Sequence, residues 1–138
     1  MNLIAPVTLF YAAILGAFYM LLLLLVIKLR HQHKLGHGDG GHSVLRARVR
    51  AHANFAEYTP LLLLFLLLVE LNQAKGFISH GFGISILISR AVHAYGMIIL
   101  ENKEKPSYKG RVFGTVITVW LHIIFATYAF CILVLGAF

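Results

Sequence analysis

The chain has 138 residues, 59% of them hydrophobic and only 12% charged, with a formal net charge of +7 and a mean hydropathy of +0.82. This balance excludes an ordinary soluble domain and fits a small polytopic membrane protein. The positive excess does not argue for nucleic acid, because the Lys and Arg residues cluster at the ends of apolar spans, where topology determinants sit.

The expected fold is all-α: an integral membrane four-helix bundle, one domain across residues 1–138, with spans near 3–29, 45–72, 77–100 and 111–136. The first span opens with Pro6, which a first helical turn tolerates, and closes on Lys28 and Arg30. No basic segment precedes it and its apolar run is too long for a secretory leader, so no cleavable signal peptide is expected. A glycine-rich polar loop follows, carrying His31, His33, His37 and His42. Those histidines have no cysteine or carboxylate partners at metal-ligand spacing, so the loop reads as solvated and no metal site is expected. The second helix starts near Ser43. Asn72-Gln-Ala-Lys75-Gly76 is a tight turn that must bring the third helix back antiparallel beside the second. A proline-broken polar loop, Glu101 to Gly110, leads into the fourth span, where Gly110, Gly114 and Thr118 form a small-xxx-small row suited to close helix packing. Cys131, the single cysteine, lies in that span and offers no disulfide or thiolate metal site.

Charge sets the expected orientation. Lys28, Arg30, Lys34, Arg46, Arg48 and Arg50 flank the first loop, and Lys103, Lys105, Lys109 and Arg111 the third, against Lys75 alone in the second. The first and third loops are therefore expected in the cytoplasm and both termini on the opposite side.

The most informative stretch joins a basic segment directly to the apolar run Leu61–Val69. At 100° per residue, Arg46, Arg50, Asn54 and Glu57 fall on one side of a helix, within about 80° of arc, and Arg48 and His52 fall opposite. Each charge carried to the bilayer centre costs roughly 2.5–3.5 kcal/mol unless partnered, so the stripe points to a polar ligand or partner within the membrane. With a pivot near residues 74 and 75, Glu57 lies level with residue 92, roughly 10 Å inside the cytoplasmic end at 1.5 Å per residue. Spacing thus predicts an ionic cluster of Glu57 with Arg90 or His93. Its alternative reading is a structural ion pair holding two helices in register.

Arg50-x-His52-x-Asn54-x-x-Glu57-Tyr58-x-Pro60 resembles the second-helix signature of the MAPEG family, the membrane-associated proteins of eicosanoid and glutathione metabolism. Arg90-x-x-His93-Ala-Tyr95-Gly96 resembles the family's third-helix pattern. Length and four spans agree, so the resemblance covers essentially the whole chain. It implies a homotrimer with sites between subunits, and a glutathione-dependent transferase or peroxidase acting on lipophilic electrophiles or lipid hydroperoxides that arrive through membrane lipid. It also implies Arg30, Arg50, Asn54, Glu57, Tyr58 and His93 as glutathione-binding residues, with Arg90 as internal counter-charge to Glu57. The chemistry fits: arginines fork onto carboxylates, a glutamate holds an ammonium, and an asparagine bonds peptide groups. The family's thiolate-forming arginine corresponds best to Arg111, with Lys109 second. A tyrosine of several members is replaced by Met97, and the arginine of the prostaglandin-making branch by Ala53, which argues against a prostaglandin isomerase. Two rivals stand beside this reading. One is a non-catalytic lipid-binding or scaffold member; the other, a small multidrug exporter, is disfavoured because Leu3–Ile27 carries no charge.

Overall fold

The computed structural model describes residues 3–72 and 74–136; Met1, Asn2, Gln73, Ala137 and Phe138 lie outside it. Four helices follow in order: α1 (Pro6–His33), α2 (Ser43–Leu71), α3 (Gly76–Tyr95), prolonged by a π-helical turn over Gly96–Leu100, and α4 (Lys109–Gly136). All four are long and apolar enough to cross a bilayer, as all-α spans must be if every backbone group is to be satisfied internally. Pro6 occupies the first turn of α1. Pro60, the entrance to the apolar run, lies inside α2 and the helix continues through it. The largest departure from the expected spans is in α1, which runs past Arg30 to His33 before Lys34 closes it in a left-handed conformation.

The core draws Tyr11, Leu15 and Leu22 from α1, Phe55, Leu62 and Leu66 from α2, Ile86 from α3, and Leu121 and Phe125 from α4. Along α2 the buried positions Ala51, Phe55, Thr59, Leu62, Leu66 and Val69 recur every three or four residues and define one stripe facing the bundle.

The most extensive helix contact joins α3 to α4, and glycine makes it possible. A Cβ on Gly114 would stand 2.7 Å from the Ser89 carbonyl oxygen and 2.7 Å from His93 Cβ; one on Gly110 would stand 2.9 Å from Gly96 Cα. The row Gly110, Gly114, Thr118 is thus the face by which α4 approaches α3, as its spacing suggests. By contrast, α2 touches α4 sparingly, so the seam between them stays open at the end carrying the two long loops.

At the opposite end, α1 has no capping side chain of its own. Glu70, at the end of α2, supplies the missing acceptor: its two oxygens receive the backbone N–H groups of Val7 (2.8 Å) and Thr8 (2.7 Å). A carboxylate at a helix N-terminus also meets the positive end of the helix dipole. Tyr11 donates to the His80 carbonyl (3.2 Å) and packs on Gly83, tying α1 to α3 nearby. In the first loop, the Arg46 guanidinium and the Gly41 N–H hold the Asp39 carboxyl below the usual carboxylate range.

Replacing Gly114 by Ala is expected to lower stability by about 1–3 kcal/mol, because the obstructing atoms, the Ser89 carbonyl oxygen and the backbone N and Cβ of His93, cannot swing aside. Gly81→Ala, whose new Cβ has no atom within 4 Å, serves as the control and should be neutral or slightly stabilising. Thermal unfolding in detergent, followed by helical circular dichroism, compares the two.

Candidate functional site

Between α2 and α4, floored by α3, lies a cleft of about 420 Å³, within the range of small-molecule sites, about 300–1,000 Å³. Arg50 and Asn54 enter it from α2, His93 and Met97 from α3, and Arg111, Val112, Thr115 and Val116 from α4. One wall is therefore polar and the other aliphatic. His93 is buried, Arg50 is exposed, and Arg111 is partly exposed at the start of α4.

Arg90 stands immediately behind the cleft, only 2% exposed. Its guanidinium donates to Asn54 Oδ1 (3.0 Å), the Gly114 carbonyl (3.3 Å), Ser89 Oγ through Nε (3.4 Å) and the hydroxyl of Thr118. It also lies over the Tyr58 ring, 5.6 Å from its centroid. Every acceptor is neutral. Asn54 thus faces two ways, its oxygen fixed by Arg90 and its helix position at the cleft wall. The close approach of α4 at Gly114 brings both the carbonyl and Thr118 within reach of the buried cation.

The expected ion pair of Glu57 with Arg90 or His93 is not formed. Among the described residues the ion pairs are Arg46 with Asp39 and Arg111 with Glu101. Glu57 lies on the face of α2 opposite the buried stripe Phe55–Thr59–Leu62, and it is exposed. The short turn brings this part of α2 beside Arg90, as the Asn54 contact shows, but the expected rotation of Glu57 towards α3 does not hold. Of the Arg46–Arg50–Asn54–Glu57 arc, Asn54 lies nearest the buried stripe, and it alone bonds Arg90.

Arg30 also stands apart, half-buried in a separate groove with Ile27, His31, Lys34 and Leu35. Tyr58 is 39% exposed and meets the edge of His122 as well as Arg90. His122 in turn contacts the Thr118 carbonyl through Nδ1 at 2.7 Å. His52 turns to α1 and stacks on Tyr19 at 4.7 Å, outside the cleft. Met97 fills the cleft floor and Tyr95 faces outward.

Two contributors were missed from sequence. Thr118 was legible only as a small residue in a packing row, although a buried arginine one helix away requires hydroxyl or carbonyl acceptors. Glu101 accepts from Arg111 Nη1 at 3.2 Å, and the Arg111 guanidinium also lies over the Tyr108 ring, 5.2 Å from its centroid. The signal was a carboxylate and a guanidinium at the two ends of one loop.

Removing the Thr118 hydroxyl tests the Arg90 arrangement. Thr118→Val keeps the shape but leaves a buried donor unsatisfied, and should cost about 1–3 kcal/mol. Thr118→Ser retains the hydroxyl and should lose less than half of that in the same detergent melts.

A model of the MAPEG family matches residues 8–133. The inner membrane protein YecN of Escherichia coli strain K12 is 39% identical over 71 residues, 51% of this chain and 54% of that protein. The protein of the same name from Escherichia coli O6:H1 matches to the same extent. Those matches span about half the length of the curated relatives. No solved structure matches the chain. Four membrane-length helices and a family match running through all of them lead to one conclusion: this chain is a multi-pass integral membrane protein and belongs to the MAPEG family.

Proposed function

We propose that the protein is a membrane-bound glutathione-dependent transferase or peroxidase, with glutathione held in the cleft between α2 and α4 and its thiol ionised by Arg111. One observation carries this reading: Arg50 and Arg111 line the cleft with Asn54 and His93, Arg90 stands behind them, and of the three guanidiniums only Arg111 has a carboxylate partner among the described residues. Such a site attracts an anion bearing hydrogen-bonding amides. Glutathione offers two carboxylates, two peptide groups and a thiol. The aliphatic wall of Val112, Thr115 and Val116 suits an apolar second substrate that has partitioned into the bilayer.

A free thiol ionises near pH 8.5, and an adjacent cation lowers that value. Arg111 is the cation for this role because it lines the cleft, which Lys109 does not, and because a guanidinium stays charged and presents a planar fork of donors. The thiol proton leaves to solvent. The thiolate then attacks an electrophilic carbon, forming a C–S bond as the leaving group departs with its electron pair. With a lipid hydroperoxide, two glutathiones are oxidised to the disulfide while the peroxide is reduced to alcohol and water.

Assembly as a homotrimer belongs to the same proposal. Arg30 and Glu57, outside the cleft of their own chain, would then be available to a ligand bound between subunits, with Glu57 taking the ammonium and Arg30 a carboxylate. The cleft opens at the end of the two basic loops, which we assign to the cytoplasm, where glutathione is abundant.

Arg111→Ala is expected to cut turnover with a model electrophile by roughly 100-fold, the scale of losing one charge-stabilising donor. Glutathione affinity should fall far less, because Arg50 and Asn54 remain. Ultraviolet absorbance of the bound thiolate, titrated against pH, reads the step directly. No thiolate in the parent protein would favour the non-catalytic scaffold reading, and loss of the signal in Lys109→Ala alone would move the role to Lys109.

Orientation has its own test. In a Cys131→Ser background, Lys75→Cys should react with a membrane-impermeant maleimide on intact cells. His37→Cys and Lys105→Cys should react only after permeabilisation. The reverse pattern would overturn the assignment.

A further inference from the structure

Arg111 is held in place by three things. The Gly96–Gly110 backbone contact fixes where α4 begins, the Tyr108 ring lies against the guanidinium, and the Glu101 carboxylate accepts from Nη1. Glu101 follows the π-helical turn Gly96–Leu100 directly, and its own N–H closes that turn on the Gly96 carbonyl (3.0 Å). The Ser107 N–H to Leu100 carbonyl bond (3.1 Å) closes the loop between the two residues. Glu101 is well shielded, its side chain 16% exposed. One of its oxygens serves Arg111; the other, Oε1, is buried with no partner among the described residues. A shielded carboxylate with a free oxygen, held on one cation, is costly to keep for stability alone.

We propose that Glu101 is a positioning residue for Arg111 that also moderates its charge, so that the pH at which a bound thiol ionises is set by the Arg111–Glu101 pair. The proposal rests on Arg111 acting on a thiol. Glu101 does not line the cleft; Arg111 stands between. Its effect therefore reaches the ligand through the guanidinium, first by fixing Nη1 and leaving the rest of the group for the ligand, and second by opposing part of its positive field. The other charged or titratable groups facing a ligand there are Arg50 from α2 and His93 from α3, with Arg90 behind Asn54. Among the described residues none of these three has a carboxylate partner, whereas Arg111 has Glu101. The negative charge of Glu101 opposes thiol ionisation and pushes it towards higher pH.

The test is the pH titration of the thiolate absorbance of the glutathione complex, in the full-length protein in detergent. Glu101→Gln keeps the side-chain shape and an acceptor for Arg111 Nη1 while removing the charge. Its midpoint should fall by about one pH unit, the lower end of the shifts produced by a neighbouring charge. Glutathione affinity should stay within about threefold, since the charge sits behind Arg111 and not on the ligand. Glu101→Asp restores the charge and should return the midpoint to near the parent value. This variant also answers the case in which Glu101→Gln assembles poorly, because a midpoint displaced upward in Glu101→Asp would count against the proposal. A midpoint unmoved or raised in Glu101→Gln, with Arg111→Ala still raising it, overturns the role of Glu101 alone. Absence of a thiolate in the parent, or an unmoved midpoint in Arg111→Ala, overturns the Arg111 reading and this proposal with it.

Discussion

Arg90 sets the terms for the rest of the bundle. An arginine with 2% of its surface exposed, within an apolar helix, must have its guanidinium surrounded by oxygen atoms or be lost from the fold. Here those atoms come from three helices: Asn54 on α2, Ser89 on α3, and Thr118 with the Gly114 carbonyl on α4. A helix carbonyl is reachable only if the helices nearly touch, which explains why α4 presents glycine there. Since no acceptor is a carboxylate, the charge is solvated by dipoles and remains uncancelled. Its field extends into the cleft in front of it.

The same constraint shapes the opening. Drawing α4 tightly onto α3 pulls it away from α2, and the seam left between α2 and α4 is the cleft. The polar wall is then the edge of α2 where the basic stripe turns inward, and the aliphatic wall is the flank of α4 carrying Val112, Thr115 and Val116. Packing and site share one cause.

How much of this the sequence disclosed depends on which coordinate is asked for. Positions along the helices were the more legible: apolar runs and a short turn set Asn54 near the Arg90–His93 segment, and Asn54 does bond Arg90, whereas Arg111 was placed by resemblance. Rotation about the axes was less so. Glu57 shares a polar arc with Asn54, and only the buried stripe of α2 decides which end of that arc meets Arg90. Contacts ending in a backbone atom were invisible. Glu70 looks like an unpaired acid at the end of an apolar run until the uncapped N-terminus of α1 is brought beside it. Arg30 was assigned by resemblance, and a single chain keeps it in a groove of its own.

The π-helical turn at Gly96–Leu100 bears on how relatives should be compared. Such a turn accommodates one residue more than an α-helical turn, so side chains beyond it are rotated from the phase that an unbroken helix would give them. A relative whose third helix lacks the extra residue would present a different neighbour at the position of Glu101, even where both sequences match on either side. For positions between Gly96 and Arg111, equivalence with a relative therefore has to be established by geometry and not by counting residues. Divergence in this family is then to be sought in helix phase at the end of α3 as much as in residue identity.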